Sequence, residues 1–167
     1  MGDLDGLREL YDGTRQRLVV QLTALTGDRA EAEDCVQEAF ARAAARWSTI
    51  ARYDNPEAWV YSVAANAARS RWRRTRTALL HTRTHRHDEP TSAGLSPDHV
   101  ELLAALKTLP FEQREAIVLF HVVDLPVDEV AARQGVPVGT VKARLSRGRQ
   151  ALATRLALQT EEVVLGG

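Results

Sequence analysis

A run of cationic side chains near the C-terminal end of the chain is the part of the sequence best suited to chemistry. Residues 138–155 include five basic residues and no acidic one. Apolar residues recur there at helical spacing, and the opposite face of the same helix carries Thr140, Lys142, Arg144, Arg147 and Arg149. A helix with one apolar and one cationic face fits the major groove of DNA, so the pattern predicts a DNA-binding helix. A solvated basic helix in an ordinary bundle is the alternative.

Such a helix needs a neighbour that fixes its position, and the residues before it predict one. Val127, Val130 and Ala131 fall on one face of a short helix. Gly135 ends that helix, because glycine readily adopts the left-handed conformation of a tight turn. Pro137 stands near the start of the next helix, where its missing N–H costs nothing, so we interpret the stretch as a helix-turn-helix. The apolar positions of its second helix are Val138, Val141, Leu145, Leu152 and Leu156.

Charge is segregated along the chain, although the formal net charge is zero. Residues 69–86 hold seven arginines and no acid, whereas residues 98–129 hold seven acids against only Lys107 and Arg114. This distribution predicts two cationic surfaces separated by an acidic one. A single cysteine, Cys35, excludes an internal disulfide and fits a reducing compartment. No apolar run is long enough to span a membrane and no signal peptide is visible, so we expect a cytoplasmic protein without membrane contact.

The first half of the sequence predicts three helices. Leucines spaced by three and four residues mark the first, which Gly27 ends, and Asp28 with Glu31 resembles a capping box that begins the second. The second helix extends to about Trp47, and a loop follows until Pro56 begins the third. The second is expected to bury Ala32, Cys35, Val36, Ala39, Phe40 and Ala43. The third is expected to bury Trp59, Val60, Val63, Ala64 and Ala67 before it becomes basic.

Helical periodicity is lost between residues 77 and 97, where Thr, His, Ser, Pro and Gly accumulate, so we expect a flexible linker. A zinc site at His81, His85 and His87 is the alternative, but no cysteine or ordered scaffold stands nearby, and we expect no metal or other cofactor. Periodicity returns after Pro97 and again after Pro110. The predicted fold class is therefore all-α, with two small helical domains joined by a flexible linker.

Four motifs occur in a characteristic order. They are DRAEAEDCVQEAFARA from Asp28, NPEAWVYSVAANAARSRWRR from Asn55, LPFEQREAIVL from Leu109 and VPVGTVKARLSRGRQAL from Val136. In this order and around a linker they resemble the extracytoplasmic-function (ECF) sigma factors, the smallest class of the bacterial sigma-70 family. The resemblance implies a sigma region 2-like domain at 1–78, a linker at 79–96, a sigma region 4-like helix-turn-helix domain at 97–158 and a tail at 159–167.

The resemblance implies a protein that binds core RNA polymerase and directs it to promoters, with an anti-sigma factor as a further expected partner. The first domain would bind polymerase and open the minus-10 element, whereas the second would read the minus-35 element in the major groove. The implied polymerase-binding residues are Asp34, Gln37, Glu38 and Arg42. The implied minus-10 residues, which offer stacking, hydrogen bonds and cations for a flipped base, are Tyr53, Asn66, Arg69, Arg71, Trp72, Arg73 and Arg74. The implied minus-35 residues are Gly139, Thr140, Lys142, Arg144, Arg147 and Arg149.

Among these, Lys142 and Arg144 are expected at base edges, since arginine pairs with guanine. The sequence departs from the family pattern at several positions. Ala65 stands where a basic residue is common, and Ala143 where Ser or Asn often lies. Gly148, inside the last helix, costs about 1 kcal/mol relative to alanine.

Two other functions fit parts of the sequence. A stand-alone helix-turn-helix regulator would use only the C-terminal half and would bind specific DNA tightly by itself. A sigma mimic would bind an anti-sigma factor without core polymerase, but residues 69–86 argue against it, because a decoy needs no cationic surface for a single strand. No Gly-rich phosphate loop, metal-ligand cluster or nucleophile–base pair is visible, so no enzyme is expected.

Overall fold

A computed structural model describes residues 4–81 and 96–165, with only the backbone given for His81 and for residues 159–165. The chain divides into two compact units, Met1–Thr91 and Ser92–Gly167. The described residues contain helices and no β-strand, which confirms the all-α prediction. Within those residues, no helix combines the length and the apolar character needed to cross a membrane.

The first unit contains α1 (Leu4–Thr26), α2 (Arg29–Ala45), α3 (Trp47–Ile50) and α4 (Pro56–His81). Gly27, at φ 72°, follows the end of α1 in the left-handed region. The Asp28 carboxylate then accepts a hydrogen bond of 3.1 Å from the Glu31 backbone N–H and caps α2 as predicted. At the start of α4, the Asn55 side-chain oxygen accepts from the Ala58 N–H at 2.9 Å. Local side chains therefore decide where these helices begin.

The core of the first unit forms where α1, α2 and α4 pack on one another. All the positions that α2 was expected to bury are buried. Each large apolar side chain removed from water contributes roughly 1.5–3 kcal/mol. Cys35 lies in this core, and burial raises the pKa of its thiol to about 11, so the thiol is not an activated nucleophile. The other fully buried large side chains of the unit are Leu18, Leu22, Leu25, Val36, Ile50 and Val60.

Three predictions for the first unit are wrong in detail. The expected loop after α2 includes the short helix α3, which buries Ile50. The aromatic core residue of α4 is Tyr61, 3% exposed, whereas Trp59, Val63 and Ala67 are only half-buried. The helix also continues through residues 77–81, where a linker was expected. The Thr77 hydroxyl donates to the Arg73 carbonyl at 2.9 Å, so this threonine is accommodated inside the helix.

The second unit contains α5 (Pro97–Lys107), α6 (Phe111–Ile117), a π-helical turn that continues α6 (Val118–Val122), α7 (Val127–Gln134) and α8 (Val138–Leu165). Its core is formed by fully buried apolar side chains from α6, the π-helical turn, α7 and α8. These are Phe111, Val118, Leu119, Val130 and Val141. Arg114 is 3% exposed and its Nη2 donates to the carbonyls of Lys107 and Leu109, both at 3.1 Å. This buried arginine holds the turn between α5 and α6.

The end of the chain also differs from its prediction. The last helix continues to Leu165, where a tail from residue 159 was expected, because residues 149–165 contain no Gly or Pro. Gly148 itself is closely packed: a Cβ there would lie 3.1 Å from Ile117 Cγ1, so a larger residue would require Ile117 to shift slightly. His85 and His87, and most of the predicted linker, lie outside the described residues.

Candidate nucleic-acid interface

The turn between α7 and α8 is built by the backbone. Gly135 adopts φ 65° and ψ 36°, and the next residue, Val136, donates its N–H to the Ala131 carbonyl at 3.1 Å. The Pro137 carbonyl then accepts from the N–H groups of Thr140 at 3.0 Å and Val141 at 3.3 Å, which begins α8. This geometry confirms the predicted helix-turn-helix, because a left-handed glycine at this point lets α7 end and α8 leave in a new direction.

The two faces of α8 differ as the sequence predicted, except that Val138, expected on the apolar face, is 39% exposed. Val141, Leu145 and Gly148 are buried. Lys142 and Arg147 are exposed, and no hydrogen bond or ion pair involves either side chain within the described residues. The exposed face also carries Gly139, Ser146, Arg149 and Gln150, with Thr140 partly exposed at its start. This surface can accept a nucleic-acid backbone without first breaking an internal ion pair.

Arg144 differs from the other cations of α8. It is half-buried, and its Nη1 donates to the Gln134 side-chain oxygen at 3.0 Å. Gln134 in turn donates through Nε2 to the Glu115 carboxylate at 3.1 Å and to the Glu112 carbonyl at 3.0 Å. The base-edge role expected for Arg144 stays a prediction, but one of its donors is already engaged within the protein.

Arg149 has a neutral polar partner beside it. Its Nε donates to His121 Nε2 at 3.1 Å, and its guanidinium carbon lies 5.3 Å from the centre of the Phe120 ring. Partial burial and the positive charge of Arg149 both lower the pKa of His121 below its usual range. The neutral imidazole is therefore the form that accepts the Arg149 hydrogen bond.

In the first unit, the polar faces of α2 and α4 meet in an open groove of about 880 Å³. Glu38 accepts from Arg42 at 2.7 Å and, through its other oxygen, from Arg71 at 3.5 Å. The Arg71 guanidinium also lies 3.8 Å from the Asp34 carboxylate, which is 67% exposed. Gln37 is exposed on the same helix. Arg71, expected at DNA, thus lies next to two of the residues expected at polymerase, Asp34 and Glu38.

The rest of the cationic part of α4 combines exposed arginines with a half-buried aromatic ring. Arg69 Nη1 donates to the Asn66 side-chain oxygen at 3.1 Å. The Arg76 guanidinium carbon lies 5.3 Å from the centre of the Trp72 ring. Arg73 and Arg74 are exposed on the same helix. Tyr53, 45% exposed, lies between α3 and α4 rather than on this helix. Such a surface offers charge, stacking and hydrogen bonds to a single strand.

Sequence reasoning missed Gln134, Glu115 and Arg76. Gln134 precedes the turn glycine and carries no charge, so composition gave no signal for it. Glu115 is 4% exposed, and nothing in the sequence marks a glutamate at that position as buried. Within the described residues, no group of three or more His, Cys, Asp or Glu side chains is placed to hold a metal ion.

These features define a class of protein: a DNA-binding factor made of two helical units, one of which ends in a helix-turn-helix. Family models agree with this class. A model of sigma-70 region 2 matches residues 10–78, and a model of sigma-70 region 4 matches residues 99–152.

Known relatives narrow the class. The ECF RNA polymerase sigma factor EcfG of Rhodopseudomonas palustris is 31% identical over 144 residues, which cover 83% of this chain and 78% of that protein. The RNA polymerase sigma-E factor of Streptomyces coelicolor is 33% identical over 152 residues, covering 89% of this chain and 85% of that one.

Solved structures agree with the sequence relatives. The sigma factor RpoE of Bartonella quintana, solved in complex with the anti-sigma factor NepR, matches with a TM-score of 0.72 and 26% identity, covering 93% of this chain and 98% of that chain. CnrH, solved with the cytosolic domain of CnrY, has the same fold, with a TM-score of 0.68. The chain therefore belongs to the sigma-70 family. It is an ECF sigma factor, which binds core RNA polymerase and directs promoter-specific transcription initiation.

Proposed function

We propose that the face of α2 that borders the groove binds core RNA polymerase. The residues involved are Asp34, Gln37, Glu38 and Arg42. Asp34 and Glu38 are one turn apart on the helix, so their carboxylates point to the same side. The Asp34 side chain is 67% exposed and the Glu38 side chain 36% exposed, so both are accessible to a basic helical surface of the polymerase. Arg42, one turn after Glu38 on α2, forms an ion pair with one Glu38 oxygen and so orients that carboxylate.

The exposed face of α4 is proposed to open the minus-10 element and to hold a flipped base. Asn66 supplies hydrogen bonds to a base edge, while Trp72 offers a ring for stacking. Arg69, Arg73 and Arg74 would neutralise the backbone of the extruded strand. Tyr53 is assigned as a second stacking group. Arg71 contributes positive charge to the same helix, although its guanidinium is closest to the acids of α2.

The exposed face of α8 is proposed to read the minus-35 element. The N–H groups around Gly139 and Thr140 suit phosphates at a helix start. Lys142 and Arg147 extend from the exposed face and would enter the major groove of the promoter DNA. Arg149, further along the helix, is suited to a phosphate contact. The observation that carries this assignment is the cationic, exposed face of α8 directly after a helix-turn-helix turn.

We further propose a regulatory subunit that works in the cytoplasm without catalysing a reaction itself. The proposed domains are residues 1–78 for polymerase and minus-10 contacts and residues 97–158 for minus-35 contacts, with 79–96 as the connection. Relatives of known structure were solved with protein partners, RpoE with the anti-sigma factor NepR and CnrH with the cytosolic domain of CnrY. An anti-sigma factor is the corresponding partner proposed for this chain.

Run-off transcription with purified core polymerase on a promoter pool tests this assignment. The wild-type chain should select a subset of promoters, and Asn66→Ala should leave closed complexes nearly intact while permanganate reactivity of the minus-10 strand falls. Ser62→Ala, an exposed α4 position whose hydroxyl bonds only its own helix, is the matched control. Normal strand opening by Asn66→Ala would overturn its role. Tight promoter binding without core polymerase would favour the stand-alone regulator.

A further inference from the structure

Three polar side chains form a continuous connection across the helix-turn-helix. Arg144 of α8 donates to Gln134 at the end of α7, and Gln134 donates to Glu115 of α6. The two distances are 3.0 Å and 3.1 Å. Glu115 is 4% exposed, while Gln134 and Arg144 are half-buried. Hydrogen bonds that are shielded from water in this way have a fixed geometry and are costly to break.

The orientation of the Gln134 amide follows from its partners. Nε2 carries two hydrogens, and it faces two groups that only accept, the Glu112 carbonyl and the Glu115 carboxylate. The side-chain oxygen must then face the opposite way, where it meets the Arg144 guanidinium, a group that only donates. In a flipped amide the Gln134 nitrogen would face the Arg144 donors and its oxygen would face the Glu112 and Glu115 oxygens. Only one amide orientation is therefore compatible with these three partners.

The position of Arg144 on α8 separates it from the surface that faces outward. Taking roughly 100° of rotation per residue, the middle of the face opposite Val141, Leu145 and Gly148 passes close to Gln150. On the same scale Arg147 lies roughly 50° from that middle, and Arg144 lies roughly 110° from it. Arg144 is therefore on the flank of α8 that packs towards α7, which agrees with its partial burial.

We propose that Gln134 and Arg144 form a clip, anchored on buried Glu115, that sets the position of α8 against α7 and keeps Arg144 away from base edges. Lys142 and Arg147, which remain exposed, are then the cations placed to select the sequence. This inference rests on the proposed minus-35 role of α8. An arginine that swung out to a base would leave the Gln134 oxygen without its donor, so the clip opposes that movement.

The test uses the full chain bound to core polymerase and a library of promoters with randomised minus-35 elements. Arg144→Met and Gln134→Met keep side-chain length and remove the clip, and the double variant closes a mutant cycle. Arg147→Met is the comparison for a residue that contacts bases. Lys107→Met, which also removes an exposed cation but lies on α5 outside the helix-turn-helix, is the control. Core pull-down and thermal unfolding show that each variant remains intact, with Arg144→Lys as a milder substitute if Arg144→Met does not fold.

We expect Arg144→Met and Gln134→Met each to weaken occupancy about threefold to tenfold at all promoters, without changing their order of preference. The double variant should bind promoters no more weakly than the weaker-binding single variant. Arg147→Met should change the order in which promoters are preferred. A changed preference at particular bases in Arg144→Met, or fully additive losses in the double variant, would overturn the clip. If the wild-type chain selects no promoters at all, the proposed function fails instead, and the two failures are distinguishable.

Discussion

The basic end of α4 and the basic face of α8 are both rich in arginine but have different surroundings. On α4, Arg71 lies 3.5 Å and 3.8 Å from carboxylate oxygens of α2. On α8, the partners of Arg144 and Arg149 are neutral, an amide and an imidazole. Cations beside carboxylates are partly neutralised before any ligand arrives, whereas cations beside neutral acceptors keep their full charge.

This difference shows that the charge an arginine-rich helix presents to a partner depends on which side chains surround its arginines. The α4–α2 groove presents mixed charge, which suits a protein partner with its own charge pattern. The outward face of α8 keeps a positive potential, which suits a polyanion.

Charge reversal at Glu38 should have the largest effect. Glu38→Arg places a third cation beside Arg42 and Arg71 and repels a basic polymerase surface, so core association should fall roughly 100-fold or more. Glu33→Arg is the matched control, because Glu33 is on the same helix but pairs with Arg29. Competition binding against the wild-type chain measures the effect. Equal affinity of the Glu38 and Glu33 variants would show that the groove is not the polymerase site.

Loss of Arg149 should have a smaller and uniform effect. Arg149→Ala removes a cation suited to a phosphate, so promoter binding should weaken similarly for all sequences and the salt dependence should fall by about one unit of slope. Holoenzyme binding to duplex promoters between low and moderate salt measures both quantities. Arg73→Ala, on the exposed α4 surface, should leave that slope for closed complexes unchanged. An unchanged slope in Arg149→Ala would argue against a phosphate contact.

The two units also differ at glycines within their helices. Gly13 of α1 has no atom within 4 Å of an added Cβ, so Gly13→Ala should raise the free energy of unfolding by about 0.5–1 kcal/mol. Gly148→Ala gains the same helix propensity but presses on Ile117 at 3.1 Å, so no net gain is expected. Chemical denaturation of both variants compares them. Equal stabilisation would mean that Ile117 moves aside without cost.

The smallest effect concerns His121, whose lowered pKa makes stability depend on pH. The unfolded chain binds a proton at this residue more readily than the folded chain does. The contribution of His121 to the free energy of unfolding should therefore be fully present above the usual pKa of histidine. It should be lost as the pH falls from that pKa to the lower pKa of the folded state, and should change no further below it. His121→Gln keeps an acceptor for Arg149 and should remove this contribution. A pH profile that is identical in His121→Gln would exclude His121 as its source.

Much of the local structure was predictable because short-range chemistry determines it. Gly27, Asp28 and Gly135 each fix a helix end through a backbone conformation or a cap within four residues. The buried face of α2 follows from the 3.6-residue period alone. Errors arose where local signals were weak: helix α4 continues past Thr77 and α8 past residue 158, since neither stretch contains a residue that stops a helix.

The sequence by itself determined two helical units, a helix-turn-helix and a cationic face on α8, because periodicity, caps and charge are properties of neighbouring residues. Tertiary structure alone decided which partner each arginine meets. Arg71 faces carboxylates on α2, Arg144 faces Gln134, and Gly148 is fixed by Ile117 of α6. Such pairings depend on how helices distant in the chain pack together, and the flank of a helix on which a side chain lies does not reveal what packs against it.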